Sequence, residues 1–431
     1  MRFRRKNAVV EPEAAAPSRP EMPAGPLSVS EYLDWVLDHV PALEGSPQAI
    51  GEVVGLASHE EVISPVSLPN FDNSAMDGYA VHFRDIAEAT QARPAHLPVV
   101  GEIHAGPSKI HSLEQGTAVA IMTGAVIPQG CDAVVPVEWT ERDGRNVLIS
   151  QAPKPGQHIR RAGEEISEGD VLLEAGAKIT PRTVGLLTGA GVGKVIAAPR
   201  PRVVVMSTGA ELIQPGQPLP ADCIYESNSH LIAAAAQAHG AIAYRATCDS
   251  DDPDVFAEAL GDQLMRADLV VTTGGVSKGT RDVVKEVLGG LGTVDFREVK
   301  MQPGKPQGFG EIGEDSLPIF TLPGNPVSAY VSFEVFVVPA LRKMIGLTQP
   351  RRTLTTARLA GPVVAKPDKQ QYLRGQVSVS ANGLIVDPVG GPGSHLVGGL
   401  AAANALIVLA EEVTNVDQGD HVPVLLLDWQ D

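Results

Sequence analysis

Leu269-Val270-Val271-Thr272-Thr273-Gly274-Gly275-Val276-Ser277 decides the fold. An apolar, β-branched run that stops at a glycine pair reads as a buried strand entering a tight turn. The same design occurs on either side of it. Val203 to Met206 leads to Ser207-Thr208-Gly209, and Ile319-Phe320 leads to Leu322-Pro323-Gly324-Asn325-Pro326. Helical patterns lie between the runs. The first is an Asn228-capped helix through Leu231, Ile232, Ala235 and Ala238 to Gly240. Others are expected near 254–266, near 281–288 and from Pro326 to about Met344, with a further apolar run at 241–247. Strands alternating with helices predict a parallel sheet with helices on both faces.

The flanks read differently. Residues 1–27 look like a flexible leader, and Ser28 and Glu31 then stand at capping-box spacing ahead of Tyr32, Leu33, Val36, Leu37 and Val40. From 61 to about 175 short β runs are broken by Gly and Pro; Thr180 and Pro181 open a short helix. Ala198-Pro199-Arg200-Pro201 reads as a stiff linker. From about 351 the helices are expected to stop, leaving a small β domain.

Composition bounds the function. At roughly 150 residues per domain, 431 residues suggest about three domains. Apolar residues make up 43%, which excludes a wholly disordered chain. A net charge of −17 argues against non-specific nucleic-acid binding, which needs a basic face. An anionic small ligand stays open if a metal or backbone amides meet it. Cys131, Cys223 and Cys248 are too widely spaced for a metal pair and suit a reduced, cytoplasmic protein. The charge-free stretch Pro388–Ala410 contains repeated Gly with Pro, Ser, His and Asn, so it reads as loop plus strand and not as a membrane span.

In an open α/β sheet, ligands lie beyond the carboxyl ends of the strands, where Gly209, Gly274, Gly275 and Gly324 let backbone come close to an anion. No Gly-Lys-Ser/Thr and no GxGxxG follows a strand, so neither a Walker loop nor a dinucleotide turn is present. Glu211, Asp251, Asp252 and Asp282 follow the same runs, and their oxygen ligands would suit Mg²⁺ between protein and anion. Asp251 and Asp252 equally suit helix capping before Pro253, and Asp282 a first-turn acid. Lys305 reads as a point charge for phosphate or a solvated loop lysine. Arg374 reads as a ligand arginine or a surface strand charge. By physics alone Ser74-Ala75-Met76-Asp77-Gly78-Tyr79-Ala80, Met122-Thr123-Gly124 and Arg160–Glu165 are a turn, a strand end and a charged loop.

Taken together, Asn73–Ala80, Thr273–Ser277 and Leu322–Ala329 resemble the molybdopterin molybdenumtransferase family, which includes the E domain of gephyrin, from about residue 28 to the C-terminus. The resemblance implies a homodimer of four-domain subunits: a discontinuous linking domain (28–67 and 168–198), an inserted β domain (68–167), an α/β molybdopterin-binding domain (199–347) and a C-terminal β domain (348–431). It implies that adenylyl-molybdopterin loses AMP while molybdate delivers molybdenum to the dithiolene, with Mg²⁺ or another divalent cation. The site would lie between the third domain of one subunit and the second of the other. Asp77, Thr123, Glu211, Asp251 and Asp282 match the family's polar active-site residues. Pro323 and Pro326 match its loop prolines, and Arg374 its tail arginine. Ser74, Asn228, Ser277, Lys305, Asn325 and the loop glycines would bind substrate; Glu211, Asp282 and Glu165 would approach the metal. Glu165, Ala210, Glu298 and Gln302 depart from the family pattern, the last two standing where some members have lysines. A molybdopterin adenylyltransferase is an implied partner. The competing function is a gephyrin-like scaffold that clusters a tubulin-like cytoskeletal protein or a membrane receptor, with or without catalysis.

Overall fold

The computed structural model describes residues 25–106, 112–248, 250–275, 283–290 and 294–427. They pack as two compact units. The first holds the described residues up to Val40, Arg202–Ala340, and those from Arg351 onward. The second holds Pro41–Pro201 and Leu341–Pro350.

The first unit is organised by a six-stranded sheet of β1 (Arg202–Thr208), β2 (Ile242–Cys248), β3 (Leu269–Thr273), β4 (Val294–Glu298), β5 (Pro306–Ile312) and β6 (Leu317–Leu322), in the order β2-β1-β3-β6-β5-β4. β1, β2, β3 and β6 are parallel. Val203 to Met206 and Leu269 to Val271 are fully buried, as strands covered on both faces must be. The expectation of a parallel sheet needs one correction, because β4 and β5 run antiparallel. Only Gly313–Ser316 separate β5 from β6, and a connection that short can join only antiparallel neighbours.

Helix α1 (Val29–His39) carries the capping box as read. Ser28 Oγ accepts from the Glu31 N–H at 3.2 Å, and Glu31 accepts from the Ser28 N–H at 2.8 Å. Aromatic residues are scarce, and several gather here. Tyr32 meets Phe336 edge-on at 4.9 Å, Trp35 meets Phe309 edge-on at 5.1 Å, and Phe309 lies 4.7 Å from Phe320. Helices α2 (Asn228–Ala238), α3 (Pro253–Leu264) and α4 (Val283–Gly290) follow β-structure as expected. The helix from Pro326 to Met344 is interrupted by a π segment at Phe333–Val337, where the Val338 N–H reaches the Phe333 carbonyl; Pro339 has no N–H to donate to the turn before it.

A second correction concerns Asn228, which does not cap its helix. Ser227 holds the N-cap position without a side-chain bond, and the Asn228 amide donates instead to the Gly324 carbonyl at 2.7 Å. The C-terminal β region forms its own six-stranded sheet, joined by Met301–Gln302. It includes Gln370–Ser380 and Ala405–Leu409. Helices do not stop there entirely, since Val397–Ala401 is a short one inside the charge-free stretch.

The second unit is built on a sheet in which Gly78–Val81 lies between Ala118–Ile121 and Ala133–Pro136, with Tyr79, Val81, Val135 and Val147 in its core. Its helix Pro181–Gly189 begins at a Thr180 cap, as read.

Candidate active site

In the first unit three loops meet at the carboxyl ends of β1, β3 and β6. A Cβ on Gly324 would stand 3.5 Å from Gly274 Cα, and one on Gly274 would stand 3.8 Å from the Thr208 carbonyl oxygen. Gly209, Gly274 and Gly275 have φ of +147°, +92° and +79°, conformations that L side chains rarely adopt. The Gly274 N–H donates to the Leu322 carbonyl at 3.0 Å, tying the second loop to the third strand.

Beneath these loops the strands end in hydroxyls. Ser207, Thr272, Thr273 and Thr321 are buried, and their hydroxyl oxygens take no hydrogen-bond partner among the described residues. Ser207 pairs in register with Thr273, and Thr272 with Thr321, so each pair shares one face of the sheet. Buried polar groups are normally satisfied, so these hydroxyls, one pair on each face of the sheet at its carboxyl edge, are open to a hydrogen bond from a water or a ligand. Asn228 Oδ1 is orphaned in the same way, while its amide holds the Gly324 loop. Asn325 stands at the N-cap of the helix from Pro326 without a capping bond from its side chain.

The carboxylates divide by environment. Asp252 caps α3, accepting from the Asp254 N–H at 2.9 Å, which leaves Asp251 exposed and without a partner among the described residues. Glu211 is exposed, with its carboxylate folded over Gly209 so closely that a Cβ there would lie 2.5 Å from Oε2. Asp282 and Ser277 lie outside the described residues. Lys305 is held by Glu298, Nζ to Oε2 at 2.8 Å. Arg374 is 5% exposed and donates to the carbonyls of Gly391, of Gly393 at 3.3 Å and of Leu396 at 2.9 Å; burial lowers its pKa. It therefore shapes a loop beside a cavity of about 350 Å³ that Gln302, Pro303, Val327 and Tyr372 also line.

The second unit carries the other candidates. Ser74 is fully buried, and its hydroxyl donates to the Met76 carbonyl at 2.6 Å, so it builds the turn that presents Asp77. Gly78 follows because nothing larger fits: a Cβ would lie 2.0 Å from the Val135 carbonyl oxygen. Asp77 Oδ1 accepts from both the Thr123 N–H at 2.6 Å and its Oγ1 at 2.8 Å. The Thr123 backbone N–H first, and its hydroxyl second, hold the Asp77 carboxyl below the ordinary carboxylate range. Oδ2 takes no partner among the described residues. Glu165 is exposed beside a turn that Glu164 closes by accepting from the Arg161 N–H at 2.9 Å.

Sequence reasoning missed two elements. The four hydroxyls were legible as strand ends that switch from Val to Ser and Thr, a signal passed over. Glu226 was missed entirely. It is 1% exposed, accepts from Ser229 N–H at 2.7 Å and Oγ at 2.6 Å, and lies 3.7 Å from Arg245. A glutamate on an otherwise polar loop gives no sign that it is buried.

Comparisons with known proteins show the family. Residues 27–191 match the family model described as MoeA N-terminal region (domain I and II). Residues 204–343 match the model described as "Probable molybdopterin binding domain", and 356–427 match MoeA C-terminal region (domain IV). The chain is 41% identical over 403 residues to molybdopterin molybdenumtransferase 2 of Mycobacterium tuberculosis (strain H37Rv), covering 92% of this chain and 98% of that one. It is 37% identical over 368 residues to the molybdopterin molybdenumtransferase of Haemophilus influenzae, covering 85% and 89%. The crystal structure of the molybdopterin biosynthesis MoeA protein from Pyrococcus horikoshii is similar with a TM-score of 0.76 at 29% identity, over 94% of this chain and all of that one. The fold is that of a multi-domain protein whose α/β sheet falls within the match to the "Probable molybdopterin binding domain" model. The chain belongs to the molybdopterin molybdenumtransferase family.

Proposed function

We propose that this chain is a transferase of molybdenum cofactor biosynthesis: it takes adenylyl-molybdopterin and molybdate, places molybdenum on the dithiolene and releases AMP. The observation that carries the reading is the meeting of three glycine loops over orphaned hydroxyls, in a chain whose relatives over most of its length are named molybdopterin molybdenumtransferases. Backbone at Gly209, Gly274, Gly275 and Gly324 and the hydroxyls of Ser207 and Thr273 would seat the substrate, with Asn228 fixing the third loop. Pro323, Asn325 and Pro326 give that loop its shape. Asp77, whose carboxylate is stabilised by the bonds from Thr123, is an acceptor only. It would orient a water or a protonated molybdate oxygen and take its proton; Asp251 would serve as a second acceptor.

A divalent cation such as Mg²⁺ would neutralise phosphate charge. Glu211 and Glu165 are the described carboxylates with the right oxygen chemistry to approach it, alongside Asp282 as a sequence candidate. Among the described residues no group of three His, Cys, Asp or Glu side chains is gathered for a metal. Mg²⁺ commonly takes one or two carboxylates plus substrate phosphates. The homodimer, with Asp77 and Thr123 supplied by the partner subunit, the cytoplasmic location and the adenylyltransferase partner are carried by the family resemblance. Among the described residues no helix is long and apolar enough to cross a membrane.

The test is AMP release from adenylyl-molybdopterin with molybdate and Mg²⁺, comparing the intact chain with Asp77→Ala and Asp282→Ala. Molybdate-dependent release, lost in both variants, is expected. Tight pterin binding without release, in a folded protein, would instead favour the scaffold reading, and the cytoskeletal or receptor partner would then be sought.

A further inference from the structure

Every cation on the segment that crosses from β4 to β5 is matched by a carboxylate. Arg297 pairs with Asp295 at 2.8 Å, Lys300 with Glu411 at 3.9 Å, and Lys305 with Glu298 at 2.8 Å. The third pair stands at the ligand edge of the sheet. Glu298 is the last residue of β4 and sits in register with Pro306, the first of β5. β5 in turn runs antiparallel to β6, with Gly308 opposite Thr321, so this end of the hairpin lies where β6 delivers Pro323 and Gly324. The backbone fixes the arrangement: the Val299 N–H donates to the Lys305 carbonyl at 2.7 Å, and Gly304 turns the chain at φ +96°.

We infer that Glu298 sets the chain's affinity for its phosphate-bearing substrate by occupying Lys305, the lysine at that edge. The inference rests on the proposed function for the identity of the ligand. Lys305 can meet a phosphate as a point charge only by leaving Glu298, and the vacated carboxylate then stays beside the anion. Both side chains are partly exposed, 44% and 35%, so the exchange occurs in a largely aqueous dielectric and its effect is modest and salt-sensitive. Losing an exposed pair and adding one like-charge repulsion together weaken binding about fivefold at low ionic strength. Glu298 is thus an affinity determinant whose removal strengthens the protein's hold on its substrate.

The experiment titrates adenylyl-molybdopterin, without molybdate, into the full-length protein by calorimetry at about 20 mM and 500 mM salt, with salt screening the difference as expected from the Debye length. Glu298→Gln is expected to bind about fivefold tighter at low salt and nearly as wild type at high salt. Lys305→Met is expected to bind more weakly, and Glu298→Gln in that background to gain much less. Unchanged or weaker binding by Glu298→Gln overturns the inference. So does an equal gain with Lys305 absent, which would be a general charge effect, and so does absence of binding in every variant. AMP release on adding molybdate is scored separately. If binding follows the charge series but no AMP appears, the proposed reaction fails while the role of Glu298 stands.

Discussion

Replacing Gly78 with alanine tests how the sheet of the second unit presents Asp77. The added carbon would stand 2.0 Å from the Val135 carbonyl oxygen and 2.9 Å from its carbon. Side-chain carbons do not come within 3.0 Å of such atoms, so the strands must part by about 1 Å. The obstructing atom is backbone in Ala133–Pro136, the edge strand paired to Gly78–Val81, so it cannot rotate aside as a side chain would and moves only with that strand. Overpacking a filled site costs about 1–3 kcal/mol, and a rigid obstacle puts this substitution at the upper end, about 3 kcal/mol. Asp77 is the adjacent residue, and its two bonds from Thr123 span only 2.6 and 2.8 Å, so the same shift removes it from register. A misplacement of about 1 Å costs roughly a hundredfold in rate. Urea unfolding, followed by the fluorescence of Trp139 packed on the core of that sheet, measures the first effect, and AMP release the second. Ala80→Gly, on the same strand and fully buried, is the control and should lose only about 1 kcal/mol. A Gly78→Ala protein that unfolds and turns over like wild type would refute the steric account.

The remaining predictions concern separate groups. Thr123→Val keeps the backbone donor but loses the hydroxyl, so the Asp77 pKa rises toward its ordinary value; the acidic limb of kcat/KM for AMP release should move to higher pH, and an unmoved limb would dissociate Asp77 from the rate. Asp252→Ala should destabilise by about 1 kcal/mol through loss of the α3 cap with little change in KM, whereas Asp251→Ala should lower AMP release at unchanged stability. Glu226→Ala should cost about 3 kcal/mol in urea unfolding, because it strips the buried Ser229 N–H and hydroxyl of their acceptor and takes the nearby carboxylate from Arg245, which keeps only neutral acceptors at Ser229 and Gln214. The Cys131 thiol is pushed up to about 11, mainly by burial, so it should resist a thiol reagent at pH 8 in the folded protein and react on unfolding.

The α/β fold was legible because its strands announce themselves twice, as unbroken runs such as Val203–Met206 and as the glycines that end them. The antiparallel β4 and β5 were not, since Phe296 and Phe309 sit among charges and glycines in runs too mixed to show a period. Caps were legible where the side chain has one option, as at Ser28 and Thr180. They failed at Asn228, which had two and took the carbonyl of a loop 96 residues away. Nothing local in a sequence encodes that choice. For the site, composition and spacing placed the glycine loops, and only the resemblance singled out Asp77 and Thr123. The structure shows how they are held: a turn built by Ser74, a strand contact that admits no side chain at Gly78, and one oxygen receiving two bonds.

Arg374 has a consequence of another kind. Pro388–Ala410 contains no charge of its own, and the carbonyls of Gly391, Gly393 and Leu396 all converge on this one guanidinium. Gly390 and Gly399 lie against it; a Cβ on Gly399 would make ordinary contact with its central carbon at 3.6 Å. The glycine loop is thus gathered at one guanidinium, while the Val327 N–H holds the Ser394 carbonyl at 3.1 Å and Asn404 is tied to Val377. Lysine, a point charge on a flexible stem, cannot replace a planar fork reaching three acceptors, so the shape of Gly391–Leu396 depends on a residue outside its own sequence.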